Sequence, residues 1–158
     1  MTRPIAILLG IVLLGTAALG QTVPFAQPRP ETTPNWSRLS LGNIMLLIQT
    51  RHIKLWYVGR AQDWSLVDFE VNHISDDLTA AAMLYTDIPV ALVQNTEQVI
   101  ARMKDAAKHK DVPRFQAAFS DLTASCNACH AAGGVGFIRI QTPINMPFTN
   151  QDIRSSNR

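Results

Sequence analysis

The chain's two cysteines stand three positions apart, at Cys126 and Cys129, and His130 follows directly. The surrounding stretch, from Ser125 to Gly134, reads SCNACHAAGG. On a helix, residues three apart lie one turn apart on the same face, so both thiols can act on one ligand. A histidine beside the second thiol adds an imidazole, the commonest metal-binding side chain. The spacing therefore predicts a site that joins covalent sulfur attachment to metal binding.

The pattern C-x-x-C-H is the attachment signature of c-type haem. Each thiol adds to one vinyl group of the porphyrin, and the histidine binds the iron from one side. In a chain of this length with two cysteines and four histidines, the pattern arises by accident with a chance of about 3 in 10,000. The sequence predicts one covalently attached haem c, with Cys126 and Cys129 as the thioether attachments and His130 as the proximal iron ligand.

Three other chemistries stay open for the same residues. A disulfide is available to an exported protein, although cysteines three apart on one helix hold nothing distant together. A thioredoxin-like dithiol belongs at a helix N-terminus beside βαβ units. A zinc site needs two further ligands close by, and the other histidines, His52, His73 and His109, are far away in the sequence.

The spacing of apolar residues predicts four helices and no strand before residue 135. Asp63 and Asp111 are the expected N-caps of the second and fourth helices, and Gly133 and Gly134 are expected to end the fourth. Short connections favour an up-down-up-down four-helix bundle. The predicted fold class is all-α, with a C-terminal CxxCH and an irregular C-terminal tail. The predicted helices cover 36–60, 64–85, 92–110 and the stretch from Asp111 through the CxxCH.

The first residues of the chain are typical of an export signal. Arg3 gives the positive start, residues 5–19 are apolar, and small residues end at Gly20, which predicts a signal peptide over 1–20 and a periplasmic location. The apolar stretch is short for a membrane span, which makes an uncleaved anchor the weaker alternative. Once the signal is removed, no stable membrane insertion is expected. The remaining chain carries 13 basic and 12 acidic residues, a balance that offers nucleic acid no attractive field.

Three further segments follow the predicted signal. Residues 21–35 are rich in proline and lack apolar periodicity, which indicates a flexible leader. Residues 36–132 form the predicted four-helix haem-binding domain, and residues 133–158 form the irregular tail.

These features together resemble a known family. A CxxCH on the last helix of a four-helix bundle is similar to the class II c-type cytochromes, the group of cytochrome c-prime and cytochrome c-556. The stretches RHIKLWYVGRAQDW and LTASCNACHAAGGVGF also resemble a set of little-characterised secreted bacterial c-type cytochromes. The resemblance covers roughly residues 36–132 and is compatible with a homodimer through the first two helices. It departs from class II after His130, where Ala131 to Gly134 end the helix in place of a continued helix with a basic residue.

The resemblance implies a distal residue on the first helix, either a methionine ligand or an apolar blocker that leaves the iron five-coordinate. His130 lies about 27 Å along its predicted helix. On the first helix, Met45 lies about 21 to 24 Å from the matching end and His52 only about 11 to 13 Å. Met45 is therefore the distal candidate and His52 a weaker one, while Met146 in the tail and an iron without a second protein ligand stay open.

The predicted function is that of a monohaem cytochrome that carries electrons in the bacterial periplasm for a redox partner protein. Two alternatives share the same site: a five-coordinate haem protein that binds NO or CO, and a haem subunit docked to a membrane oxidoreductase. No combination of acid, base and nucleophile is visible, so no enzyme is predicted. Arg51, Lys54 and Arg139 are candidates to approach the haem propionates, although charges on a helix are more often solvated.

Overall fold

The computed structural model describes residues 40–153, which form four α-helices packed together and contain no strand. The all-α class is confirmed for this part of the chain. The predicted signal peptide and leader, residues 1–35, lie outside the described residues. The helices are α1 (Leu41–Arg60), α2 (Trp64–Leu84), α3 (Val90–Lys108) and α4 (Val112–Ala132).

Side-chain caps fix the starts of three helices. The side chains of Ser40, Asp63 and Asp111 each accept a hydrogen bond from the backbone N–H three residues later, at 3.3, 3.1 and 3.0 Å. Such a bond satisfies a donor that the first turn of a helix leaves unpaired. The two aspartate caps are confirmed. The first helix begins at Leu41, five residues later than the predicted Trp36, because Ser40 supplies its cap.

Each helix packs against the next, and α1 also packs against α4. Contacts between α1 and α4 show that these two helices run antiparallel. Trp56 of α1 packs against Phe119 of α4. One turn earlier in α1, His52 contacts Thr123, which lies one turn later in α4. The α1–α4 pair is the least closely packed of the four.

The core is centred on aromatic rings of α4. Phe115 is fully buried against Gly59 of α1, where any Cβ would overlap the ring, and its ring centroid lies 6.2 Å from that of Trp64. A glycine is needed at this point because the helix and the ring approach so closely. The other buried apolar residues are Ile44, Ile48, Leu55, Val58, Val67, Val71, Ile74, Ala81, Val93, Val99, Ile100, Met103, Ala106, Ala107, Ala118, Phe119 and Leu122.

The chain leaves α4 through a Schellman turn. Gly134 takes a φ of +74°, the left-handed region that glycine adopts without a steric cost. The Val135 N–H donates to the His130 carbonyl at 2.9 Å, and the Gly134 N–H donates to that of Ala131 at 3.3 Å. The predicted end of the helix at the glycine pair is confirmed. The tail then returns to α1, where the Lys54 ammonium lies 5.1 Å from the centre of the Phe148 ring.

The distribution of charge divides the helical part into two halves. Of the twenty Asp, Glu, Lys and Arg residues between positions 40 and 153, seventeen lie in 51–77 and 97–121, which we call the Phe115 half. Only Asp87 lies in the rest of the helical part and the turn after it, which we call the motif half because it holds the CxxCH. The motif half comprises residues 41–50, 78–96 and 122–138.

Exposed apolar side chains follow the opposite distribution. Among the described residues, Phe69 is the only large apolar side chain of the Phe115 half that is exposed. The others lie in the motif half or in the tail. They are Leu46, Leu47, Met83, Leu84, Val90, Phe137, Ile138 and Ile144.

None of the four described helices combines the length and the apolar character needed to span a bilayer.

Candidate functional site

The CxxCH residues all lie in the last two turns of α4. Cys126 and Cys129 are partly exposed, and both thiols are free. Burial raises the pKa of Cys126 to about 11, with a smaller contribution from the neighbouring Cys129, and burial also raises the pKa of Cys129. Both side chains are therefore neutral thiols at physiological pH, one helical turn apart on one helix.

The ring of His130 is held by the turn that follows α4. Its Nδ1 lies 2.8 Å from the carbonyl oxygen of Ile138. A carbonyl oxygen only accepts hydrogen bonds, so Nδ1 carries a proton, and the neutral tautomer with this proton has its lone pair on Nε2. Metal-binding histidines typically donate their second ring N–H in this way, which fixes the ring and its tautomer. The arrangement can present Nε2 to a metal ion.

A second contact ties the same turn to α4. Asn127, the first variable residue of the CxxCH, donates from Nδ2 to the Ile140 carbonyl at 2.9 Å. Its Oδ1 accepts from the Ile140 N–H at 2.8 Å. Neither this pair nor the Ile138 carbonyl was predicted from the sequence. Every residue has a backbone carbonyl, so residue types cannot reveal the acceptor at Ile138. Asn127, in contrast, could have been singled out as a polar residue inside the motif.

His52 is engaged elsewhere. Its side chain is almost fully buried, and its Nε2 lies 2.9 Å from the hydroxyl of Thr123. That hydroxyl donates to the Phe119 carbonyl at 2.9 Å, so His52 Nε2 is the donor in the first bond. Burial lowers the pKa of His52 from its ordinary 6.5 to about 4, and the ring packs 4.4 Å from that of Phe119. His52 is a neutral core histidine with a hydroxyl partner.

The pairing of α1 with α4 indicates which residue of α1 is level with His130. Seven residues before His52 is Met45, and seven residues after Thr123 is His130. Seven residues are two helical turns, about 10 Å, and return to the same helix face. By this register Met45 lies on the same face of α1 as His52 and at about the level of His130, while His52 lies about 10 Å away along the axis. Met45 is partly buried against the core.

The basic residues suggested for propionates have other surroundings. Arg51 faces α2, where its guanidinium contacts the carboxylates of Glu70 at 3.2 Å and Asp77 at 3.0 Å. Lys54 lies over the ring of Phe148. Arg139 is exposed, in the turn between the two residues that contact His130 and Asn127. Arg51 therefore belongs to an ion-pair network with residues of α2, away from the CxxCH.

No group of three or more His, Cys, Asp or Glu side chains within residues 40–153 is arranged to hold a metal ion. Comparisons of the chain with protein-family models, with curated proteins and with solved structures found no match. Inferences about function therefore rest on the residues and geometry described above.

Proposed function

We propose that the protein is a monohaem c-type cytochrome of the class II form, an up-down-up-down four-helix bundle that carries electrons for a redox partner in the periplasm. The observation that carries the proposal is the CxxCH on α4 together with the His130 ring, whose Nδ1 donates to the Ile138 carbonyl. This hydrogen bond leaves the Nε2 lone pair for iron.

The residues present fit haem c. Two free thiols one turn apart match the spacing that two vinyl groups require. The His130 ring has one nitrogen held by the Ile138 carbonyl and one available. The motif half has almost no charge and exposes several apolar side chains, among them Leu46 and Phe137. A large exposed apolar surface on a soluble domain usually marks a site where something binds. Cys126, Cys129 and His130 would hold the haem.

Met45 is the side chain that we assign to the opposite side of the iron. Its level on α1 matches that of His130, and α1 and α4 are the least closely packed of the four neighbouring pairs, which suits a flat group between them. With histidine and methionine ligands, haem iron has a raised reduction potential, and this suits electron transfer. His52, neutral and hydrogen-bonded to Thr123, is then a core residue that positions α1 against α4.

Haem attachment is tested by secreting the full chain from a bacterial host with and without haem-maturation machinery. We expect a coloured product whose intact mass exceeds that of the polypeptide by one haem, only with the machinery. The double variant Cys126→Ser/Cys129→Ser should lose the covalent haem, and Ser125→Ala, next to the motif on the same helix, should keep it. A colourless product with the bare polypeptide mass would overturn the proposal.

The distal ligand is tested with carbon monoxide on the reduced protein. We expect no rapid spectral shift in the wild type and a rapid shift in Met45→Leu, because removing the thioether opens the iron. Met83→Leu, at an exposed methionine of the motif half, is the matched control and should behave as the wild type. A rapid shift in the wild type itself would favour the five-coordinate gas-binding alternative.

A further inference from the structure

Residues 133–140, the first part of the tail, are held to α4 by hydrogen bonds at both ends. At the start, the Schellman turn joins Val135 to His130. At the far end, the Asn127 amide pairs with both backbone groups of Ile140. Ile138, whose carbonyl accepts from His130, lies between these two fixed points.

We propose that Asn127 is a positioning residue for His130: by clamping the backbone of Ile140, it holds the Ile138 carbonyl against His130 Nδ1. This inference rests on the proposed function only for its consequence at the iron. The clamp and the ring orientation are properties of the chain itself.

The asparagine side chain is suited to this role because the clamp needs both a donor and an acceptor. Asn127 Nδ2 donates to the Ile140 oxygen and Oδ1 accepts from the Ile140 nitrogen, at 2.9 and 2.8 Å, so one side chain satisfies a complete peptide edge. An ionised aspartate accepts only and retains half of the clamp. Alanine retains none.

The start of the stretch does not place the Ile138 carbonyl by itself. The Schellman bonds reach only as far as Val135, and one further bond, from the Ile138 N–H to the Val135 carbonyl at 2.8 Å, closes a four-residue turn. The side chains of Phe137 and Ile138 are exposed, so their packing against the helices does little to fix the turn. The clamp at Ile140 is the nearest contact to α4 on the far side of Ile138.

The consequence at His130 follows from the hydrogen bond. A ring N–H that donates to a carbonyl makes the other nitrogen more basic, and a more basic ligand favours ferric over ferrous iron. Loosening the clamp should weaken this bond and raise the midpoint potential of the bound haem.

The first arm of the test does not depend on haem. In the full secreted chain, amide hydrogen exchange and ¹⁵N–¹H NMR would be recorded for the wild type, Asn127→Ala, Asn127→Asp and the control Asn72→Ala. The Asn72 amide bonds only within α2, to the Asp68 carbonyl. We expect exchange at the Ile140 amide to rise about tenfold or more in Asn127→Ala, since two hydrogen bonds are lost.

The same spectra report on the imidazole. The protonated Nδ1 of His130, visible in the wild type, should lose its signal to rapid exchange in Asn127→Ala and show an intermediate effect in Asn127→Asp. The control should match the wild type. Unchanged Ile140 exchange in Asn127→Ala, or a lost clamp beside an unchanged Nδ1 signal, would overturn the positioning role.

The second arm uses the haem-loaded protein and measures the midpoint potential. We expect a higher potential in Asn127→Ala, a smaller rise in Asn127→Asp and no change in Asn72→Ala. An unchanged potential beside a lost Nδ1 signal would overturn the link to the iron. If the wild-type chain carries no haem, the proposed function fails, while the first arm still decides whether Asn127 positions His130.

Discussion

The Phe115 half and the motif half of the helical domain differ in their number of charged residues and in how far their apolar side chains are buried. The Phe115 half contains seventeen charged residues, and a row of rings joins Trp64, Phe115 and Phe119 across α2 and α4. The motif half has one charged residue and most of the exposed apolar side chains. A domain whose core and ion pairs lie mainly at one end can leave the other end free to take up a large apolar ligand.

The largest difference between the halves should appear on removing a phenylalanine ring from each. Phe115→Ala should lower the free energy of unfolding by about 3–5 kcal/mol, because the ring is fully buried and leaves a cavity. Phe137→Ala removes a ring that is 82% exposed and should change stability by no more than about 0.5 kcal/mol. Urea unfolding measures both. Equal losses in the two variants would mean that side chains of the motif half stabilise the fold as much as the core of the Phe115 half does.

Substitution of Arg51 tests whether the charged residues of the Phe115 half affect stability because some of them are buried. Glu70 is only 2% exposed, and Arg51 is its cationic partner. Arg51→Met should cost about 3–5 kcal/mol, because it leaves a buried carboxylate unpaired. The double variant Arg51→Met/Glu70→Leu should recover much of this loss in urea unfolding. A double variant as unstable as the single one would show that Arg51 acts through its packing.

The sequence predicted the helices well because their signals are local. Asp63 and Asp111 cap helices as expected. The apolar spacing of the third helix predicts Val93, Val99 and Met103 on its inner face, and all three are buried. The same spacing on the first helix predicts an inner face that includes Ile48, Gln49 and His52, but Gln49 is exposed and Ile44 is buried instead. The predicted and observed faces share Ile48 and His52, so the error is a rotation of less than one residue about the helix axis, which periodicity alone does not resolve.

Part of the candidate site was beyond sequence reasoning for a different reason. The spacing of Cys126, Cys129 and His130 is visible in the chain, but the contact of His130 with Ile138 depends on a backbone carbonyl eight residues away. Any residue type offers that carbonyl. The buried Glu70 was likewise missed, because its partner Arg51 comes from another helix.

Acid should destabilise the protein through His52 of the Phe115 half. The folded pKa is about 4 and the ordinary value is 6.5, so between these pH values the unfolded chain binds more protons than the folded one. The free energy of unfolding should therefore fall as pH falls through this window, by about 3 kcal/mol in total. His52→Gln should lack this part of the slope, and His73→Gln should retain it. Unfolding curves from pH 7 to 4 measure the difference, and a His52→Gln slope equal to that of the wild type would contradict the assignment.

The smallest effect should come from the ion pair between Arg102 and Asp121, which joins α3 to α4 at 2.8 Å. Both side chains are more than half exposed, so water already solvates each charge and salt screens their attraction. A double-mutant cycle with Arg102→Ala and Asp121→Ala should give a coupling of about 0.2–1 kcal/mol, and less at high salt. A coupling as large as that expected for Arg51 with Glu70 would mean that the number of charges stabilises this half. A small coupling would leave burial as the cause of the stabilisation by charges. It would also explain how a motif half with one charged residue can fold beside a Phe115 half with seventeen.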